Sequence, residues 1–257
     1  MRYCGSKRRF MKYLKPILME HLNENTLFVD AFGGGMNVVC EIDHDKKWAI
    51  EVNRYVAALW KHLQKYGAEG GILEAYSNLT EEEYNSIKRH YLNDDKVYPD
   101  WLIGFVGTCC SYGGAWFGGY AHFNPNKNED HIKEAFNGLK KQVNSFKNLE
   151  ETLFINCSYD ELSFPPNSVI YCDPPYALTK KYESDFDNIK FWDWVREMSK
   201  KGHYVYVSEY TAPDDFKCIW QMKKKDGMGT TKKGGKQNTK IEKLFVYNGQ
   251  IENEKWN

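Results

Sequence analysis

The sequence predicts an α/β fold in which a mostly parallel sheet carries helices on both faces and a mainly helical subdomain is inserted. Three observations lead there. Short apolar runs of strand length alternate with segments of helical period at both ends of the chain, a glycine-rich turn follows the first such run, and the alternation lapses over residues 70–149.

Patterning predicts a first helix over 7–22, after which "TLFVD" at 26–30 reads as a buried strand ending in an acid. The turn "DAFGGGMN" at 30–37 then leads into a short helix expected from about Met36. A second strand is expected in "KWAIE" at 47–51. In "NRYVAALWKHLQKY" at 53–66 the apolar residues at 56, 59, 60 and 63 share one helical face. Helices are predicted near 80–92, 99–109 and 129–148, separated by the Gly- and aromatic-rich loop "CSYGGAWFGGYAHFNPNK" at 110–127. Strands resume at 152–156 and 168–172, a helix is expected near 188–201, and strands follow at 203–208 and 243–247. Residues 223–240, "KKKDGMGTTKKGGKQNTK", have the composition of a mobile loop. The chain thus divides into a sheet-bearing domain, 1–69 with 150–257, and an insertion over 70–149.

A chain of 257 residues, 42% of them hydrophobic, can bury one sizeable core with an inserted subdomain. No window approaches the ~18 apolar residues of a membrane span, and the opening "MRYCGSKRRF" lacks an apolar leader segment, so a soluble, cytoplasmic protein is expected. The seven cysteines include no Cys-x-x-Cys pair and the seven histidines no ligand-spaced pair; neither a disulfide framework nor a metal cofactor is expected. Thirty-five basic residues balance 35 acidic ones, but unevenly along the chain. Residues 1–15 hold six basic residues and no acid, and 217–243 hold nine lysines against Asp226 and Glu242. Each run suits solvated surface; on one face together they would form a footprint for a polyanion.

Two stretches carry chemistry. In the turn at 30–37, glycine lets the backbone approach a ligand closely, although such turns also serve to pack helix on sheet. Glu51, an acid ending the second strand about 20 residues on, is placed to accept hydrogen bonds from ribose hydroxyls. The second stretch is "VIYCDPPY" at 169–176, a buried strand that runs into an acid, two prolines and a tyrosine. An amino group on an aromatic ring is a poor nucleophile because its lone pair is delocalised. Asp173 and the Pro174 carbonyl can each accept one of its N–H bonds, Pro175 stiffens that carbonyl, and Tyr176 offers a stacking face. "FPPN" at 164–167 repeats the prolines without acid or aromatic and reads as a loop.

Taken together, "DPPY" after an apolar strand, "DAFGGG" upstream of it and the opening Tyr3-Cys4-Gly5-Ser6-Lys7 resemble the Dam-like class of adenine-N6 DNA methyltransferases, which are carried by phages and restriction systems. The resemblance covers nearly the whole chain. It implies a Rossmann-like methyltransferase fold, S-adenosyl-L-methionine (AdoMet) as cofactor, double-stranded DNA as substrate, and a cognate restriction endonuclease as a possible partner. It places Tyr3, Lys7, Phe32, Gly34, Glu51, Tyr159, Asp160 and Asp173 at the cofactor, and Asp173, Pro174 and Tyr176 in catalysis. The insertion becomes the target-recognition subdomain. The target adenine must leave the stack before its N6 can reach the methyl group. For DNA contacts the candidates are Arg8, Arg9, Tyr112, Lys223, Lys224, Lys225, Lys232, Lys233 and Lys236. Trp116, Phe117 and Tyr120 serve either DNA or the packing of the insertion, with packing favoured for Trp116 and Phe117.

Two features depart from the family pattern. Met36 stands where the family has its last glycine, and because a Cβ disfavours left-handed backbone the turn is expected to close on Gly35 instead. The loop at 110–127 has no Arg, so recognition of GATC, which uses basic residues to grip guanine, is not implied. The tetrad logic also suits cytosine N4, RNA adenine or a glutamine amide, and a noncatalytic DNA-binding protein retaining the fold is a further alternative.

Overall fold

A computed structural model describes residues 1, 3–68, 74, 76–175, 186–223 and 241–253. The chain forms two compact units, Met1–Glu20 with Val29–Leu162 and His21–Phe28 with Ser163–Asn257. In the first, strand order is β3 (Thr152–Ile155), β2 (Lys47–Ile50), β1 (Phe28–Asp30); in the second it is β4 (Val169–Cys172), β5 (Tyr204–Glu209), β7 (Ile241–Tyr247), β6 (Phe216–Lys223). β2–β3 and β4–β5 are parallel, whereas β5–β7 and β6–β7 are antiparallel. The fold is the expected Rossmann-like α/β type.

In the first unit, α1 (Met11–Met19) follows a 3₁₀ turn at Arg8–Phe10, so the first helix is shorter than the predicted 7–22. α2 (Arg54–Tyr66) starts where the Asn53 side chain accepts Tyr55 N–H at 3.0 Å and Val56 N–H at 3.4 Å, and it ends on Gly67 at φ +72°. Its buried face, Val56, Leu59, Trp60 and Leu63, is the one the apolar spacing predicts. A capping box of Thr80 and Glu83 opens α3 (Glu81–Leu92), and Asp130 caps α5 (His131–Ser145) by accepting Lys133 N–H at 3.0 Å. α4 (Asp100–Cys109) is buried from Leu102 onward because it lies directly on α2: a Cβ on Gly104 would come within 2.1 Å of the Tyr55 carbonyl oxygen. Only glycine allows that approach.

Two expectations fail. No α-helix begins at Met36; that residue has φ +52°, and regular structure resumes as a 3₁₀ turn at Val39–Glu41 whose Val39 N–H donates to Asp30 Oδ2 at 3.3 Å. A left-handed residue cannot belong to a right-handed helix. β6 is the other surprise, unpredicted because a register shift between Cys218 and Trp220 disrupts the alternation that marks a strand. In the second unit, β4 is buried throughout and α6 (Asn188–Lys200) starts on the Asp187 cap. Arg196 of α6 grips both oxygens of Asp215, at 2.6 and 2.8 Å, just before β6; α7 (Asn248–Asn253) follows β7.

Candidate active site

The first unit builds a pinned turn. After β1, Gly33 N–H donates to the Ile50 carbonyl of β2 at 2.8 Å and Met36 N–H to the Gly33 carbonyl at 2.7 Å. Glu51, at the end of β2, closes the arrangement: Oε2 accepts Gly34 N–H at 2.6 Å and Oε1 accepts Asn53 N–H at 2.8 Å. One carboxylate thereby joins the turn after β1 to the cap of α2. Burial pushes the Glu51 carboxyl up, against the opposing pull of those two amides. Each oxygen has further lone-pair capacity, since a carboxylate offers about four acceptor sites.

The turn does not close on Gly35 as the sequence suggests. Gly34, at φ +48°, and Met36, at +52°, take the left-handed conformation. Met36 tolerates it because its side chain is fully buried in the notch beside Gly33, where a Cβ would stand 2.7 Å from Met36 Sδ. Tyr3 covers the turn from the other side: Cβ atoms on Gly34 or Gly35 would meet its ring or Cβ at 2.7 and 2.6 Å. Lys7 is 2% exposed, with Nζ donating to the Gly5 carbonyl at 3.3 Å. Phe32 and Tyr159 stack with centroids 5.2 Å apart, and Ser158 Oγ donates to Asp160 Oδ1 at 2.5 Å. Tyr3, Lys7, Phe32, Gly34, Glu51, Tyr159 and Asp160 all belong to this unit.

In the second unit, β4 carries Asp173 and Pro174 just past its carboxyl end. Asp173 is partly buried and Pro174 buried, while Tyr176 lies outside the described residues. Cys172 pairs with Val207 of β5, and the Tyr171 hydroxyl bonds Ser208 Oγ at 2.8 Å, holding the strand end in register. Cys172 is fully buried and Cys157 partly so. Buried Glu209, at the end of β5, is an acid beside this strand end that the sequence did not single out.

Of the loop aromatics, Trp116 stacks on Tyr55 of α2 at 5.9 Å, Phe117 is buried, and the Tyr120 hydroxyl donates to the Leu79 carbonyl at 2.6 Å. These pack the loop at 110–127 against α2 and α3. Tyr112 is different, being 67% exposed at the mouth of a cleft of about 190 Å³ lined also by Ser111, Gly113, Ala121, His131 and Ala135. Arg8, Arg9 and Lys223 are exposed, whereas Lys224, Lys225, Lys232, Lys233 and Lys236 lie outside the described residues. Among the described residues no group of His, Cys, Asp and Glu is arranged to hold a metal, and no helix is long and apolar enough to cross a membrane.

Gln142 of α5 was invisible to motif reading. Its side chain is 2% exposed, and Nε2 donates to the Gly35 carbonyl at 2.8 Å. Nothing in its surroundings in the sequence distinguishes it from a helix-face residue.

A family model for D12 class N6 adenine-specific DNA methyltransferases matches residues 3–227. Among curated proteins, the chain is 26% identical over 237 residues to the type II methyltransferase M.FokI of Planomicrobium okeanokoites, covering 81% of this chain and 35% of that protein. It is 24% identical over 225 residues to the modification methylase StsI of Streptococcus sanguinis, covering 82% of this chain and 33% of that protein. The chain spans about a third of the length of these relatives.

Proposed function

The chain belongs to the D12 class N6 adenine-specific DNA methyltransferase family, and from that premise we propose that it methylates adenine N6 within a specific sequence of double-stranded DNA, with AdoMet as methyl donor. The observation that carries the reading is the left-handed turn pinned to Glu51, in a chain whose family match also spans the Asp173-Pro174 strand end. The turn suits a nucleoside-bearing cation. Glu51 keeps acceptor capacity for ribose hydroxyls, and the buried Asn37 Oδ1 has no hydrogen-bond partner among the described residues, leaving an acceptor for a ligand donor. Tyr3, Lys7, Phe32, Gly34, Tyr159 and Asp160 complete the proposed cofactor set.

AdoMet supplies, when bound, a methyl group made electrophilic by its sulfonium. The chain's part is positioning and charge. Asp173 accepts one N–H of the exocyclic amine and the Pro174 carbonyl the other, which draws the nitrogen out of conjugation and localises its lone pair. The carboxylate then stabilises the positive charge that builds on nitrogen and is the proposed acceptor for the proton finally lost. Tyr176 is the proposed stacking face. The few kcal/mol needed to extrude the base are offset by that stacking and by phosphate contacts. Residues 70–149 are proposed to read the target, with Tyr112 reaching the bases and Arg8, Arg9, Lys223, Lys224, Lys225, Lys232 and Lys233 holding phosphates. A cognate restriction endonuclease is a proposed partner, in keeping with the modification methylase among its relatives.

The test incubates the protein with methyl-labelled AdoMet and unmethylated duplex DNA, digests the DNA and identifies the labelled nucleoside. N6-methyl-2′-deoxyadenosine is expected. Label in N4-methyl-2′-deoxycytidine, or label appearing only when RNA is supplied in place of the DNA, would reassign the substrate, and tight DNA binding without any label on either would leave a binding protein. Asp173→Ala is expected to keep DNA binding and lose at least about a hundredfold in turnover, as removing one electrostatic stabiliser does. Turnover within threefold of wild type would remove Asp173 from the mechanism.

A further inference from the structure

The turn holds a residue that should not be comfortable there. Met36 is left-handed, which costs an L-residue about 1–2 kcal/mol, and the peptide joining Gly35 to Met36 sets that φ. The carbonyl of this same peptide is the one Gln142 holds. The amide orientation of Gln142 is itself determined, because its Oε1 accepts from the Met1 nitrogen, leaving Nε2 to face Gly35. Both ends of the side chain are thus engaged in a buried setting, where an unmade hydrogen bond is costly. The contact is also distant in sequence, linking the last turn of α5 to the loop after β1.

We infer that Gln142 is a positioning residue for the methyl donor: by fixing the Gly35 carbonyl it orients the Gly34–Met36 peptides whose left-handed geometry admits AdoMet. This rests on the reading that the turn binds AdoMet. Gln142 touches neither substrate nor cofactor in this role. It replaces what a glycine at position 36 would supply, since glycine adopts the left-handed conformation freely and methionine must be held in it.

Two variants separate positioning from general support. Gln142→Glu keeps size and the acceptor for the Met1 nitrogen but presents an oxygen to the Gly35 carbonyl; Gln142→Met keeps volume and removes both bonds. Calorimetric titration with AdoMet is expected to give a Kd raised about tenfold in each, the effect of removing one buried hydrogen bond. On unmethylated plasmid DNA, KM for AdoMet should rise in parallel while kcat at saturating AdoMet and the Kd for DNA stay within twofold. Should the buried carboxylate unfold Gln142→Glu, Gln142→Met carries the test alone. The inference is overturned if folded Gln142→Met binds AdoMet as wild type does, or if kcat falls with KM unchanged. A wild-type protein that binds no AdoMet would instead overturn the cofactor reading itself.

Discussion

At residue 36 two costs oppose each other, and their sizes decide the outcome. Replacing Met36 by glycine removes roughly 1–2 kcal/mol of left-handed strain. It also empties a fully buried site, and truncating a buried methionine costs roughly 2–5 kcal/mol. Met36→Gly is therefore expected to lower stability by roughly 2 kcal/mol, within a range of about 0–4, read as a lower urea midpoint, although it restores the residue usual in the family. A higher midpoint would show that the strain outweighs the packing. Glu51 illustrates a different point at this scale. Its strand-end position was legible in the sequence, and its bond to the Asn53 amide two residues on is local, but its bond to the Gly34 amide was not legible, because the turn after β1 reaches Glu51 only when β1 and β2 lie side by side.

Among the elements, the closest approach is that of α4 to α2. Gly104 has no room for a side chain, with the Tyr55 carbonyl carbon 2.8 Å and its oxygen 2.1 Å from where a Cβ would be, and backbone cannot swing aside as a flexible side chain does. Gly107 receives the faces of Trp116 and Phe117 in the same way, with atoms at 2.6 and 2.9 Å. Gly104→Ala is expected to cost roughly 1–3 kcal/mol by forcing the helices apart, and so to lower Tm by several degrees. A Tm within a degree of wild type would mean the pair yields without cost. Helical period alone placed α2, α3 and α4 because each buries one face or nearly all of itself. β6 escaped notice since its edge position and bulge leave a mixed pattern, exposed at Lys217, Cys218, Gln221 and Lys223.

For the whole molecule, charge is the relevant property: net zero, yet concentrated in the opening segment and in residues 217–243. β6 ends at Lys223 paired with Ile241, so residues 224–240 connect two hydrogen-bonded strands of a hairpin. If Lys224, Lys225, Lys232 and Lys233 hold phosphates, replacing all four by alanine should flatten the plot of log Kd for DNA against log salt by about 0.9 for each phosphate no longer neutralised, with AdoMet affinity unchanged. An unaltered slope would remove them from the interface. By itself the sequence determined the α/β class, most of the strands and helices, and the Gly-turn, Glu51 and Asp173-Pro174 motifs, because periodicity and short motifs are local properties. Only the tertiary structure decided that Met36 rather than Gly35 goes left-handed, that Trp116, Phe117 and Tyr120 pack while Tyr112 projects, and that Gln142 holds the turn. Those outcomes depend on contacts across more than a hundred residues for Gln142 and Gly35, and a hydrogen bond between distant residues leaves no mark on the sequence near either one.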